Sequence, residues 1–204
     1  MNSSHVHKID SQLNSTMRII SGTLKSTPTP WLPVLSNIPP STIRRKAALK
    51  REWDKYKLLP NNYPISIDLE NPPQHRLKSR KPIWRGRFLV EHLSINDLWK
   101  QEWSSVDISN KELIEDPTTA VPGFDLPRAI WSKLNRIRTR HGRCNSMLYR
   151  WGAIPSPDCS CGNGTETMEH IVNECPITKF DGGFAGIHKV TPNVIEWLQS
   201  LKDL

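Results

Sequence analysis

Apolar residues recur at helical intervals near both ends of the chain and lose that rhythm in the middle. Ile9, Leu13, Met17, Ile20 and Leu24 follow one another at steps of four, four, three and four, the repeat that places side chains on one face of a helix. A Thr/Pro-rich stretch ends this stripe. In Ser26 to Leu35, Thr29 is positioned to cap a short helical turn carrying Pro30 at its first position, where the missing N–H costs nothing, and Pro39-Pro40 closes the unit. A third helix is expected from about Ser41 to Leu58, where Ile43, Ala47, Leu49, Trp53 and Tyr56 alternate with a dense basic face.

Between Pro60 and Gly123, prolines at 60, 64, 72, 73, 82, 117 and 122 interrupt every window, so mostly loop is expected. Two stretches stand out. Leu89 to Trp103, with Leu93, Leu98 and Trp99, suggests a short helix, and Ile65-Ser66-Ile67-Asp68-Leu69 alternates as a strand or an extended segment would. Helical order returns after Gly123. Asp125 and Pro127 begin a helix with Ile130, Leu134 and Ile137 on one face, and His141-Gly142 ends it. A second helix from Arg143 to about Trp151 aligns Cys144, Leu148 and Trp151, so the two are expected to pair as a helical hairpin. Thr191-Pro192 starts a final helix with Val194, Trp197, Leu198 and Leu201 on its packing face. The expected organisation is a helical segment at 1–59, an irregular Pro-rich connection at 60–123, a basic hairpin plus metal module at 124–183 and a C-terminal helix at 184–204. No fixed-period repeat is present.

Composition adjusts this picture. Hydrophobic residues make up 36% of 204, and 17 are proline, which implies a thin core built from short elements rather than a long coiled coil or a large sheet. The net charge of +8 is unevenly held: segment 40–58 carries +5, 74–87 carries +6 and 126–151 carries +7, leaving −10 on the remainder. A polyanion is the natural partner of such islands. In the third, Arg128, Lys133, Arg136, Arg138, Arg140, Arg143 and Arg150 surround the apolar stripe, with Trp131 and Trp151 nearby. Arginines among aromatic residues can hold phosphates and stack on exposed bases, so these seven are the candidate RNA or DNA contacts. The plainer alternative is a solvated basic face with core tryptophans.

No run approaches the length of a membrane span, and the opening Met1-Asn2-Ser3-Ser4-His5-Val6-His7-Lys8 lacks the apolar stretch of a secretory signal. The expectation is a protein of the nucleus or cytoplasm, without a membrane partner, whose four cysteines sit in a reducing compartment. Three of them fall with one histidine inside 17 residues: Cys159-x-Cys161, eight residues, His170, four residues, Cys175. A Cys3His set matches closed tetrahedral structural zinc sites, and thiolates select zinc over magnesium or calcium. Gly162 and Asn163-Gly164 supply positions tolerant of positive φ, so the chain can fold back as a knuckle. The following helix is expected over Thr167 to Asn173. On an ideal helix residues five apart diverge by about 140°, so Cys175 must lie beyond its break, before Pro176. Cys144 lies outside the cluster and reads as core. The alternative is a set of buried free cysteines and a solvent-facing histidine. The expected fold class is therefore mainly α: short helices with long loops and a small Cys3His zinc-binding knuckle-plus-helix module. Four protein ligands leave no position for an activated water, so the zinc is expected to be structural.

Leu134-Asn135-Arg136-Ile137-Arg138-Thr139-Arg140-His141-Gly142-Arg143-Cys144, Trp151-Gly152, Cys159-x-Cys161-Gly162 and Glu169-His170-Ile171 to Cys175-Pro176 together resemble the C-terminal end of reverse transcriptases of jockey-type non-LTR retrotransposons. Phe124-Asp125-Leu126-Pro127 fits the same pattern. Upstream, Met17-Arg18-Ile19-Ile20-Ser21-Gly22-Thr23, Thr27-Pro28 and Ile38-Pro39-Pro40 to Arg44-Arg45 resemble the stretch after the polymerase palm, in the thumb region. The resemblance implies a zinc-binding, nucleic-acid-contacting tail of an RNA-directed DNA polymerase that works by target-primed reverse transcription. It does not carry over the chemistry. Two-metal nucleotidyl transfer needs paired acidic side chains, which this family keeps in an aromatic-x-Asp-Asp motif, and no Asp-Asp occurs here. Glu115-Asp116, the one adjacent acidic pair, lies in a Pro-flanked loop. With 29 residues after Cys175, a nuclease following the zinc motif is not expected, and the chain reads as a remnant or fragment of a transposable element's polymerase, itself without catalysis. A protein-interaction module held by zinc is the rival reading.

Overall fold

A computed structural model describes residues 3–70, 93–202 and 204, with Ser3, Ser4 and Asp68 to Glu70 as backbone alone. The chain is mainly helical. The α-helices in order are α1 (Ser3–Ser21), α2 (Trp31–Ser36), α3 (Ser41–Lys57), α4 (Pro64–Glu70), α5 (Ile95–Ser104), α6 (Arg128–Arg138), α7 (Asn145–Arg150), α8 (Gly183–His188) and α9 (Pro192–Ser200). A 3-10 turn covers Lys111–Leu113 and a π-turn His170–Glu174. Among the described residues the pairing of extended backbone is a single antiparallel bridge, Asp158 with Thr165.

The chain divides into two compact units, each drawn from two stretches. The first comprises residues 1–13 and 39–104. Here α3 packs against α4 and α5, burying Ile43, Trp53, Trp99 and Trp103. Three of its cations are neutralised locally, Arg45 by Asp10 at 2.8 Å, Lys50 by Asp54 and Lys55 by Glu52. The Arg45 hydrogen bond is the main reason the Asp10 carboxyl lies below the usual carboxylate range. The basic island 74–87 lies outside the described residues, as do residues 89–92 of the expected helix; Leu93 and Ser94 are not helical, and the helix begins at Ile95 as α5.

The second unit comprises residues 14–38 and 105–204. Every side chain of α2 is buried. Asn37, at φ 53°, turns the chain back so that the Ile38 N–H reaches the Pro33 carbonyl at 3.0 Å, a left-handed C-cap. α6 packs against α8 and α9. Leu134, Ile137, Val172, Ile187, Val194 and Leu198 are fully withdrawn from solvent. Pro192 starts α9 at its first turn, as expected, and Trp197 donates to the Thr178 carbonyl at 2.7 Å. Residues 14–38 thus group with the chain after 105 in one compact unit.

Several expectations are corrected. Ile65 to Leu69 is helical, within α4. Pro64 suits a helix start, the Tyr63 carbonyl accepts from the Ser66 and Ile67 N–H groups, and a lone strand would leave its backbone groups unpaired. The capping role of Thr29 is taken by backbone: Trp31 and Leu32 donate to the Pro28 and Thr29 carbonyls, with no side-chain cap at the helix start. The α1 stripe buries Met17, but Ile9 stays exposed and Leu24 lies past the helix end. α6 finds its principal partners in α8 and α9 rather than in α7, because α7 spans six residues and buries none of them.

Candidate metal centre and the basic helices

The knuckle is a miniature hairpin. Glu166 N–H donates to the Pro157 carbonyl at 2.9 Å, Cys159 N–H to Gly164 at 2.8 Å and Gly162 N–H to Cys159 at 3.0 Å. Gly162 and Gly164, at φ 78° and 85°, occupy conformations that a side chain disfavours. The Asn163 N–H points at the Cys161 sulfur, 3.4 Å away. On the other side Met168 and Glu169 begin a helical turn that widens into the π-turn His170–Glu174. Its i→i+5 bond, Cys175 N–H to the His170 carbonyl, measures 2.7 Å. Cys175 is extended and follows the turn, as the spacing required, but widening rather than a plain break returns it to the His170 side.

Cys159, Cys161, His170 and Cys175 accordingly bring their ligand atoms within 4.8 Å of one another, close enough to hold a metal ion. Cys159 and Cys175 sulfurs lie 3.8 Å apart, and the Cys161 sulfur is 3.2 Å from His170 Nε2. His170 Nδ1 faces the Glu174 carboxylate at 3.3 Å, the outer hydrogen bond that orients a ligating imidazole. Burial opposes the charged imidazole, but the contacts with Cys161 and Glu174 outweigh it and raise His170 above its usual pKa. Burial pushes the Cys159 thiol up to about 11; the Cys161 backbone N–H opposes this, while the Cys161 and Cys175 side chains add to it. At Cys175 burial is outweighed by Thr178 and by the N–H groups of Ile177 and Thr178, which draw the thiol down to about 6. Adjacent thiolates repel one another, so a cation is what lets all of them ionise together. Cys144, buried with its sulfur 3.2 Å from the Ser146 hydroxyl, is core as expected.

The seven basic residues have different fates. Along α6, Arg128, Lys133 and Arg136 serve the carbonyl ends of other helices. Arg128 donates to the Ile19 and Ile20 carbonyls, Trp131 Nε1 to Ile20 at 3.3 Å, Asn135 to Ser21 at 2.8 Å and Arg136 Nε to Gly22 at 2.9 Å. Those of Ile19, Ile20 and Ser21 are the last carbonyls of α1, which carry partial negative charge and no intrahelical partner, and Gly22 follows directly. The approach is tight: Gly22 has φ 70°, and a Cβ there would lie 2.9 Å from Ser132 Cα. Lys133 donates to the Leu198 and Leu201 carbonyls at 3.1 and 2.6 Å, at the end of α9. Arg138 is only 1% exposed. It donates to the Pro122 carbonyl at 2.6 Å, to Asn135 Oδ1 at 3.2 Å and to His188 Nδ1 at 3.1 Å. Burial lowers its pKa to about 9, so it stays charged at neutral pH. Arg138 is therefore withdrawn from the contact surface on which it was expected. Arg140, at φ 56°, bonds Asn110 Oδ1 and Glu169, the latter at 2.8 Å, and lies over the Phe184 ring. Arg143 and Arg150 are exposed.

Residues missed from sequence complete this site. Glu166 Oε1 accepts from the Asn145 N–H at 2.9 Å, its carbonyl accepts from the Ser146 N–H at 3.0 Å, and Asn145 Nδ2 donates to the Asp158 carbonyl at 2.7 Å. The knuckle thus holds the start of α7. Glu174, four residues after His170, was the one such partner that spacing alone could have suggested.

Over 86 residues the chain is 29% identical to a "Retrovirus-related Pol polyprotein from type-1 retrotransposable element R1" of Bradysia coprophila, covering 40% of this chain and 8% of that protein. The chain thus spans a small fraction of that relative's length. No family model matches, and no solved structure matches. The similarity supports a retrotransposon-related origin. Among the described residues no helix is long and apolar enough to cross a membrane.

Proposed function

We propose that this chain is a non-catalytic, structural-zinc-binding segment of a retrotransposon-derived reverse transcriptase that contacts RNA or DNA, working inside the cell in the nucleus or cytoplasm. The single observation that carries the reading is the convergence of Cys159, Cys161, His170 and Cys175 within 4.8 Å. Three sulfurs and one imidazole suit zinc in chemistry and count, and a tetrahedron with bonds of about 2.3 Å has edges of about 3.8 Å, as between Cys159 and Cys175. The ion would supply folding energy, roughly 10–16 kcal/mol in small zinc modules, comparable to or above the whole stability of a typical domain. This chain's residues do the rest: Glu174 orients His170, and Glu166 ties the knuckle to α7. The missing Asp-Asp pair supports an absence of polymerase chemistry in this segment, with the remainder of a reverse transcriptase polypeptide as a partner. The test is elemental analysis of reduced, purified chain together with binding to labelled RNA and DNA. One zinc per chain and salt-sensitive binding are expected, and the reading fails if metal is absent or no nucleic acid binds.

One observation favours a second reading, a zinc-stabilised protein-interaction module without a nucleic-acid ligand: the cations of α6 are largely occupied by the protein's own carbonyls. Capture of partners from nuclease-treated lysate, with no retention on immobilised RNA or DNA, would support it.

A further inference from the structure

α7 is an unusual element for its surroundings. It buries none of its side chains, yet both of its ends are fixed. At the start, the Asn145 and Ser146 N–H groups are held by Glu166, and the Asn145 side chain by Asp158. At the end, Gly152 takes φ 70°, and the Ala153 N–H returns to the Leu148 carbonyl at 2.9 Å. Between these anchors two large aromatic residues are left half open to solvent, Tyr149 at 50% and Trp151 at 48%. They flank Arg150, which is exposed, and Arg143 is exposed just before the helix. No acidic residue lies between Leu126 and Trp151.

Exposed aromatic faces beside guanidinium groups match unpaired bases on a phosphate backbone. A duplex keeps its bases stacked inside and offers such rings no face, so the single strand is the better fit. Resting on the nucleic-acid reading above, we propose that Tyr149, Arg150 and Trp151 form a contact for single-stranded nucleic acid. Tyr149 and Trp151 stack on bases, Arg150 and Arg143 meet phosphates, and Glu166 is the positioning residue through which the knuckle holds the contact in place.

The test uses the whole zinc-loaded chain and two labelled probes of equal length, an unstructured oligouridine and an RNA duplex. The single strand should bind more tightly. Trp151→Ala and Tyr149→Ala should each weaken it roughly fivefold or more, the lower bound for losing one base–aromatic stack, while duplex binding changes less than twofold. Glu166→Ala should weaken single-strand binding with zinc content unchanged, and Glu166→Gln, which keeps the acceptor, should restore it. Equal affinity of both aromatic variants and the wild type for the single strand overturns this inference alone, as does a preference for duplex. No binding to either probe overturns it together with the nucleic-acid reading. If Glu166→Ala fails to fold, the two aromatic variants decide.

Discussion

α6 and α7 follow one another in the chain and share one basic island, yet they use their charge in opposite ways. The cations of α6 point at backbone: Arg128 and Arg136 close the end of α1, Lys133 the end of α9, and Arg138 the chain around Pro122 and His188. α7 carries Arg150 outward beside two half-exposed aromatic rings. Count and density of arginine do not separate these roles. What separates them is whether a helix C-terminus elsewhere in the chain needs a donor.

The comparison breaks most visibly if metal is removed. Chelation, or Cys175→Ser, should unfold the region around residues 155–180 and release α7, since its N-terminal anchors belong to the knuckle. If the proposed structural zinc is bound, roughly 10 kcal/mol or more is at stake there. Circular dichroism should lose helix, and limited proteolysis should cut near Glu166 while fragments containing α2 and α6 persist. An unchanged spectrum and cleavage pattern would mean the metal holds nothing together.

Next in size is Arg138→Met. Losing a buried guanidinium that serves Pro122, Asn135 and His188 should cost about 3 kcal/mol, whereas Arg150→Ala should stay within about 0.5 kcal/mol. Chemical denaturation measures both, and equal effects would erase the distinction between the helices.

Acid should act on the half-buried His188 beside Arg138. Burial first, and then the positive charge of Arg138, depress His188 from 6.5 to about 4. The folded protein therefore holds this ring neutral where the unfolded chain protonates it. Stability contributed by His188 is present above pH 6.5 and is lost as pH falls toward 4. Replacing it, as in His188→Gln, should flatten the stability profile over that interval, and a profile parallel to wild type would exclude His188 as its source. The smallest effect expected is on salt dependence. Were all seven basic residues phosphate contacts, log affinity would fall against log salt with slope on the order of −5 to −6. Changing Arg143 and Arg150 together to Ala should reduce the slope by about 1.5 to 2, while Arg128→Ala should leave it unchanged and lower stability instead.

How much of this was readable beforehand follows from distance along the chain. The four candidate ligands occupy one short stretch, and residue type with glycine placement was enough to group them. The π-turn was not readable, because the same five-residue interval fits either a broken helix or a widened one, and packing of Ile171 and Val172 is not written in the spacing. Helices with an apolar face and a proline start, α3 and α9, came out close to their expected limits. α4 did not, since alternation over five residues fits a strand as well as a turn of helix with Pro64 at its head. The role of α6 was out of reach for a different reason. Its acceptors lie 108 residues away at Ile20, 114 at Ser21 and 65 at Leu198, and nothing near Arg128 or Lys133 in sequence announces them.

The second unit's assembly from 14–38 and 105–204 has a practical side. A shortened version trimmed to the Cys3His stretch and its neighbouring basic helices would discard the peptide groups at Ile19 to Gly22, and with them the buried side chains of α2. Arg128, Asn135 and Arg136 would then face water with their natural acceptors gone. Anyone excising the candidate metal centre for spectroscopy should keep the early segment, covalently or as an added peptide.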